Sequence, residues 1–284
     1  MIRIEDVATM RAAVRGARGS ALPVRFVPTM GALHAGHAAL FRAARAAGGF
    51  VVASIFVNPT QFGPTEDFTR YPRTPEADAA LAAEAGVDAL WSPRTEELYP
   101  DGEGTRVSVG ALSTLWEGAF RPAHFDGVAT VVAKLLHATS ADVLYLGEKD
   151  FQQTVVLRRL VRDLLVPTGI VVVPTVREPD GLALSSRNRY LSADERRAAT
   201  TIARALRGTA ERAAAGERDA TVLRALLHAV IGSEPGLTLQ YAEVVDPATL
   251  VALDNLDAPA RAIVAAYAGS TRLIDNLALV LPNS

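Results

Sequence analysis

The run Phe50-Val51-Val52-Ala53-Ser54-Ile55-Phe56-Val57 is nearly continuous in apolar residues, many of them β-branched, and Asn58-Pro59 ends it. A strand with one face in water alternates apolar and polar residues. One that is apolar on both faces is buried on both, as in a parallel sheet covered by helices. Further strands are expected at Leu22 to Val27, despite Pro23 and Arg25, and at Val87 to Trp91, Asp142 to Leu146 and Ile170 to Val173. Helical stretches alternate with them. Ile4 to Arg18 carries Val7, Met10 and Val14 on one side, and Ala38 to Ala47 is closed by Gly48-Gly49. Pro75 to Gly86 has proline at its start and glycine after its end; Gly127 to His137 and Phe151 to about Leu165 complete the set. This pattern specifies an α/β fold, a Rossmann-like parallel sheet with helices on both faces.

Beyond Ser192 the character changes. Two long helices, Asp194 to about Ala215 and Ala220 to Ile231, precede three alternating runs: Leu239 to Val245, Arg261 to Tyr267 and Thr271 to Asn276. The last two are joined at Gly269-Ser270. This reads as a smaller C-terminal α+β domain with an antiparallel sheet. The expected domains are 1–175 and 176–284, and a chain of 284 residues is long enough for both.

The formal net charge of −2 and the absence of a basic block argue against a long nucleic-acid ligand. There is no cysteine, which excludes disulfides, thiol nucleophiles and zinc–thiolate sites. The first residues lack a signal-peptide core and no apolar run reaches the length of a membrane span, so a cytoplasmic location is expected. Of 29 basic residues only Lys134 and Lys149 are lysine, which singles both out.

The stretch Val27-Pro28-Thr29-Met30-Gly31-Ala32-Leu33-His34-Ala35-Gly36-His37 lies where a strand turns into a helix. Free N–H groups and the positive helix end attract phosphate there, and Gly31 and Gly36 let a ligand approach the backbone. His34 and His37, three apart, face the same way if both are helical. The pair admits three uses: half of a metal site, two helix-cap histidines, or a nucleotide-phosphate site.

Three other polar clusters follow strands. Asn58-Pro59-Thr60-Gln61-Phe62-Gly63 is rich in amides that can read hydroxyls and a carboxylate without adding charge, or can form an Asx-type turn. Gly147-Glu148-Lys149-Asp150 places a flexible cation at a strand-to-helix turn; Asp150 can cap the helix or orient a nucleotide or magnesium ion, and Gln153 lies one turn on. Leu184-Ser185-Ser186-Arg187-Asn188 offers two hydroxyls and a guanidinium suited to polyphosphate. Tyr71 either lines a pocket or packs on its loop. Arg121, in Glu117-Gly118-Ala119-Phe120-Arg121-Pro122-Ala123-His124-Phe125, either meets a ligand or forms a salt bridge.

Pro28-Thr29-Met30-Gly31-Ala32-Leu33-His34-x-Gly36-His37 closely resembles the signature of the pantoate–β-alanine ligase family. That family is a branch of the His-x-Gly-His nucleotidyltransferases, which also include class I aminoacyl-tRNA synthetases. The matches Asn58-Pro59-x-Gln61-Phe62, Gly147-Glu148-Lys149-Asp150-x-Gln152-Gln153 and Ser185-Ser186-Arg187-Asn188 extend the resemblance over nearly the whole chain. Leu184 stands where the family has methionine, and backbone contacts there tolerate the change.

The resemblance implies that ATP and pantoate form pantoyl adenylate and pyrophosphate, and that β-alanine then displaces AMP to give pantothenate. It implies ATP contacts from Met30, Gly31, Ala32, Leu33, His34, Ala35, Gly36, His37, Gly147, Glu148, Lys149, Asp150, Val176, Leu184, Ser185, Ser186 and Arg187. His37, His34 and Lys149 take the catalytic roles. Gln61, Gln153, Asn58, Tyr71 and Arg121 are the candidates for pantoate and β-alanine. Mg2+ accompanies ATP with no firm protein ligand, Asp150 being the candidate, and a homodimer is implied. Two alternatives remain: a nucleotidyltransferase acting on a phosphate-bearing acceptor, which would need more positive charge, and a nucleotide-binding module without turnover.

Overall fold

The computed structural model describes residues 1–64 and 66–282. The first elements are β1 (Ile2–Ile4), α1 (Val7–Gly19), β2 (Val24–Thr29), α2 (Ala35–Ala46), β3 (Phe50–Ile55), α3 (Pro75–Glu84) and β4 (Ala89–Trp91). They are followed by α4 (Thr95–Leu98), α5 (Glu117–Phe120), α6 (His124–Thr139), β5 (Val143–Gly147), α7 (Phe151–Asp163) and β6 (Gly169–Val173). Then come α8 (Ala193–Ala214), α9 (Ala220–Gly232), β7 (Leu237–Val245), β8 (Ala260–Ala268) and β9 (Thr271–Leu279). The chain divides into two compact units, Met1–Glu148 with Val156–Pro174, and Lys149–Val155 with Thr175–Ser284.

The first unit holds a six-stranded parallel sheet of order β1-β4-β3-β2-β5-β6. Val27, Val51 and Ala53 pack with Phe41 and Ala44 of α2 and with Ala79 and Ala82 of α3. Phe26 and Val52, one residue out of step, are fully buried; strand alternation turns them to the other face, where α1 and α6 meet β2. The order reverses at β2, with β3 on one side and β5 on the other. Such a switch point leaves a crevice beyond the carboxyl ends of the two strands. The Met30–His37 stretch follows β2, and Gly147 ends β5 with Glu148 directly after it.

Several boundaries differ from expectation in the first unit; α2 begins at Ala35 rather than Ala38 and α6 at His124 rather than Gly127. Ile4, expected to open the first helix, instead ends the edge strand Ile2–Ile4, because the Asp6 carboxylate accepts the Thr9 N–H at 2.8 Å and caps α1 there. The expected long loop from Pro93 contains α4, one turn long.

The second unit is an antiparallel sheet of order β7-β8-β9. Ala262, Val264 and Ala266 on one face of β8 form a core with Ile202 and Leu206 of α8 and Leu223 and Leu227 of α9. The segment Lys149–Val155, expected within 1–175, groups here because β8 and β9 side chains hold it. Asn276 donates to the Lys149 carbonyl at 2.9 Å, and the Arg261 guanidinium lies 4.2 Å from the Phe151 ring centroid.

Candidate active site

In the first unit the turn after β2 is built by hydrogen bonds. Thr29 Oγ1 donates to the Ser54 carbonyl at 2.7 Å and accepts the Gly31 N–H at 3.2 Å. Gly31 (φ +83°) and Ala32 (φ +49°) then take left-handed backbone. The Asp78 carboxylate of α3 accepts the N–H groups of Ala32 at 2.9 Å and Leu33 at 2.8 Å, and the Thr74 hydroxyl at 2.9 Å. Asp78 is only 2% exposed. A side chain on Gly31 would stand 3.0 Å from both Asp78 Oδ2 and Ile55 Cγ2, so the site requires glycine.

His34 is the N-cap of α2 in extended conformation (φ −145°, ψ 179°), the helix-cap arrangement among the three uses open to the pair. Its Nδ1 accepts the Gly36 N–H at 3.1 Å, and His37 Nδ1 accepts the His34 N–H at 3.2 Å. The rings are therefore neighbours, with centroids 4.2 Å apart. An Nδ1 that accepts carries no proton, which assigns both imidazoles as Nε2–H tautomers. The two histidines thus cap the helix and carry donors on their outer nitrogens. Met30, Leu33, Gly36 and His37 are half-buried, Gly31 and Ala32 buried, and Ala35 exposed. Among the described residues no three His, Cys, Asp or Glu side chains form a metal-ligand group.

The amide loop is a one-turn helix, Pro59–Gln61, that Asn58 caps. Asn58 is 1% exposed; its Nδ2 donates to Gln61 Oε1 at 3.1 Å and to the Gly127 carbonyl at 3.2 Å. Its Oδ1 accepts the Tyr99 hydroxyl at 2.7 Å. Gln61 Nε2 points at Met30 Sδ, 3.1 Å away, which ties this loop to the histidine loop. Asn58 and Gln61 are therefore an orienting pair rather than two independent readers.

Behind the loop lies an ion cluster. Arg121 Nε donates to Glu66 Oε1 at 2.8 Å, Nη1 to Glu117 at 2.9 Å, and Nη2 to Glu66 and to the Gln61 carbonyl. These partners, with His124 Nε2 at 3.2 Å, engage the whole guanidinium. Arg121 is thus tied to the amide loop through ion pairs, one of the two uses open to it from the sequence. Burial opposes the charge on both ions, yet the Arg121–Glu66 bonds prevail. They hold the guanidinium above its ordinary range and the Glu66 carboxyl below its own.

His124 donates from Nδ1 to the Gln61 carbonyl at 2.8 Å. Burial and the adjacent Arg121 push it down to about 4, so it stays neutral. Tyr71, 5% exposed, packs edge-on against Phe62 at 6.0 Å between centroids.

In the second unit Lys149 Nζ lies 3.3 Å from Asp150 Oδ1. Gln153 is half-buried on the first turn of α7. Val176 to Leu184 forms a small hairpin: Leu184 N–H donates to the Val176 carbonyl at 3.0 Å and Arg177 bridges Ala183, with Gly181 (φ +91°) in the turn. Ser185 then caps a short 3-10 helix, Ser186–Tyr190, by accepting the Arg187 N–H at 3.3 Å. Leu184, Ser185, Ser186 and Arg187 are half-buried. Lys134, the other lysine, donates to the Leu98 carbonyl at 2.6 Å and to Glu103 at 3.0 Å in the first unit, a structural anchor.

Asp78, Tyr99, Gly127 and His124 all hold candidate loops, and the sequence reading gave none of them a role. The signal in the sequence is an aspartate within the alanine-rich helical run Pro75 to Gly86.

The chain matches the sequence profile of the family described as Pantoate-beta-alanine ligase over residues 2–278. It is 54% identical to a pantothenate synthetase of Acidobacterium capsulatum, covering 98% of this chain and 97% of that one. A crystal structure of pantothenate synthetase from Thermus thermophilus superposes with a TM-score of 0.93 at 50% identity, over 99% of this chain and 100% of that one. A pantoate-beta-alanine ligase from Francisella tularensis, crystallised with beta-gamma ATP and beta-alanine, gives 0.80 at 36% identity over 98% and 97% of the two chains. With sheet, loops and sequence in agreement along the whole chain, it belongs to the pantoate–β-alanine ligase family.

Proposed function

We propose that this protein condenses pantoate with β-alanine at the expense of ATP, releasing AMP and pyrophosphate through a pantoyl-adenylate intermediate. The observation that carries the reading is the linked pair of loops in the first unit. Two imidazoles with Nε2–H donors stand at a helix N-terminus, and the Gln61 amide is tied to the same turn through Met30. Donors suited to phosphate thus adjoin uncharged amides suited to a hydroxy acid. The beta-gamma ATP and beta-alanine complexed with the Francisella tularensis ligase accord with this substrate set.

In the first step a pantoate carboxylate oxygen attacks the α-phosphorus in line, and the bond to the bridging oxygen of pyrophosphate breaks. His37 donates from Nε2 toward the departing phosphates, and His34 stabilises the same charge. Lys149, Ser185, Ser186 and Arg187 bind the remaining phosphate oxygens; the Gly31–Gly36 backbone, Gly147, Glu148, Val176 and Leu184 hold the nucleotide. Gln61 and Gln153 hold pantoate, with Asn58 fixing the Gln61 amide. In the second step the β-alanine amine attacks the acyl carbon and AMP leaves with the oxygen that pantoate contributed. Positioning and charge stabilisation suffice, and no enzyme nucleophile takes part.

Magnesium fits this arrangement as an ion carried by ATP. The described residues offer no ready ligand group, and Asp150, about half exposed and 3.3 Å from Lys149 Nζ, is the candidate carboxylate. The ion would lower the charge repulsion at the phosphates. We further infer a cytoplasmic enzyme acting as a homodimer. Among the described residues no helix is long and apolar enough to cross a membrane.

The test is AMP release from ATP and magnesium with pantoate and β-alanine each omitted in turn. The reading expects sustained AMP formation and pantothenate only when both are present. ATP binding without AMP under any combination would contradict it.

A further inference from the structure

Two adjacent polar residues on β9, Asp275 and Asn276, are 5% and 4% exposed, an unusual depth for side chains on a strand. Successive strand residues face opposite sides of the sheet, and the pair grips something on each. On the side of the α8–α9 core, Asp275 accepts both Arg177 nitrogens, at 2.6 and 2.9 Å. On the other side Asn276 Nδ2 donates to the Lys149 carbonyl at 2.9 Å. Its Oδ1 accepts Arg261 Nη1, a diagonal neighbour on the same face of the sheet. Arg261 in turn lies 4.2 Å over the Phe151 ring, covering the residue two after Lys149. The Asn276 N–H donates to Asp275 Oδ1 at 2.7 Å, which couples the two grips. Arg177 adjoins Val176 at the base of the hairpin that leads to Ser185-Ser186-Arg187.

We infer that Asn276 is a positioning residue for Lys149: it fixes the lysine's backbone carbonyl and thereby the path of its side chain toward the nucleotide phosphates. The inference rests on the phosphate role proposed for Lys149. A three-residue turn between a strand and a helix has few hydrogen bonds of its own, so an outside anchor decides where the ammonium points. The amide is suited to this task because it donates to one segment and accepts from the strand beside it. Displacements of about 1 Å at such a group cost on the order of a hundredfold in rate. Asp275 serves the hairpin in the same way through Arg177.

The deciding variant is Asn276→Asp. It keeps an acceptor for Arg261 but turns a carboxylate oxygen toward the Lys149 carbonyl. Asn276→Ser, too short to reach either partner, is the second variant should the first fail to fold. Both are measured by pantoate-dependent exchange of pyrophosphate into ATP and by the full reaction at varied β-alanine, alone and combined with Lys149→Ala, and by amide hydrogen exchange across residues 150–155. We expect a loss of about ten- to a hundredfold in kcat, an unchanged KM for β-alanine, and several-fold faster exchange in that segment. No further loss is expected once Lys149 is alanine. Full activity in the Asn276 variants beside an impaired Lys149→Ala overturns the inference, as do losses that simply multiply in the double variant. A fully active Lys149→Ala overturns the lysine's own role instead. Amide exchange then still decides whether Asn276 anchors the segment, and an unchanged exchange rate refutes the anchor.

Discussion

His37 Nδ1 accepts the backbone N–H of His34 at 3.2 Å, so one nitrogen of the ring caps a helix while the other keeps its proton. An asparagine places an acceptor near the Nδ1 position and has nothing at Nε2. His37→Asn should therefore keep the cap and lose the donor. Adenylate formation at saturating ATP is expected to fall by about two to four decades, with the melting temperature little changed. Single-turnover measurement checks this. A full rate of adenylate formation in the variant would remove the proton-donor role.

Asp78 braces the turn that precedes the histidines through the Ala32 and Leu33 N–H groups. In Asp78→Asn one of the two oxygens becomes an NH2 facing a buried N–H. A loss of about 1–3 kcal/mol is expected in urea unfolding, together with a higher KM for ATP. An unshifted unfolding midpoint with unchanged KM would show that the brace is dispensable.

Gly127 meets the amide loop without a side chain. A Cβ there would overlap the Thr60 carbonyl and stand 2.8 Å from Gln61 Cα. Gly127→Ala should push Asn58 and Gln61 aside and raise KM for pantoate about tenfold or more, with KM for ATP nearly unchanged, since each 1.4 kcal/mol of lost binding is tenfold. Equal effects on both substrates would contradict the division of labour between the loops.

The sequence displayed what is local and hid what is distant. The run Phe50 to Val57 announced a doubly covered strand, and Met30 to His37 announced a strand-to-helix turn with cap residues, because each signal lies within a dozen positions. The supports do not. Asp78 reaches Ala32 across 46 residues, Tyr99 reaches Asn58 across 41, and His124 reaches the Gln61 carbonyl across 63. No periodicity encodes such a contact. Arg121 and its partner four residues back, Glu117, were legible together, but Glu66, 55 positions away, becomes a neighbour only after folding. The three-residue strand Ile2–Ile4 escaped for another reason: it is too short to show alternation, and its pairing with β4 defines it. The Lys149–Val155 grouping likewise depends on Asn276, 127 residues away from Lys149.

His124 sets an acid limit. Burial and Arg121 lower it from 6.5 to about 4 in the folded chain. Between those values the unfolded chain takes up a proton that the folded chain refuses, so stability falls as pH drops from above 6.5 toward 4. The stability lost across this window is on the order of 3 kcal/mol. Unfolding free energies at pH 7.5 and 4.5 should differ less in His124→Gln, which cannot titrate, than in the parent. An equal pH dependence in the two proteins would exclude this group as the cause.

In the proposed mechanism the pantoate carboxylate attacks the α-phosphorus. Pantoate labelled with 18O in its carboxylate, turned over with ATP and β-alanine, places the label in a product that mass spectrometry reads directly. The account requires one 18O atom in AMP and none in pyrophosphate. Label found instead in a β- or γ-derived phosphate, or absent from AMP after complete conversion to pantothenate, would contradict the adenylate mechanism.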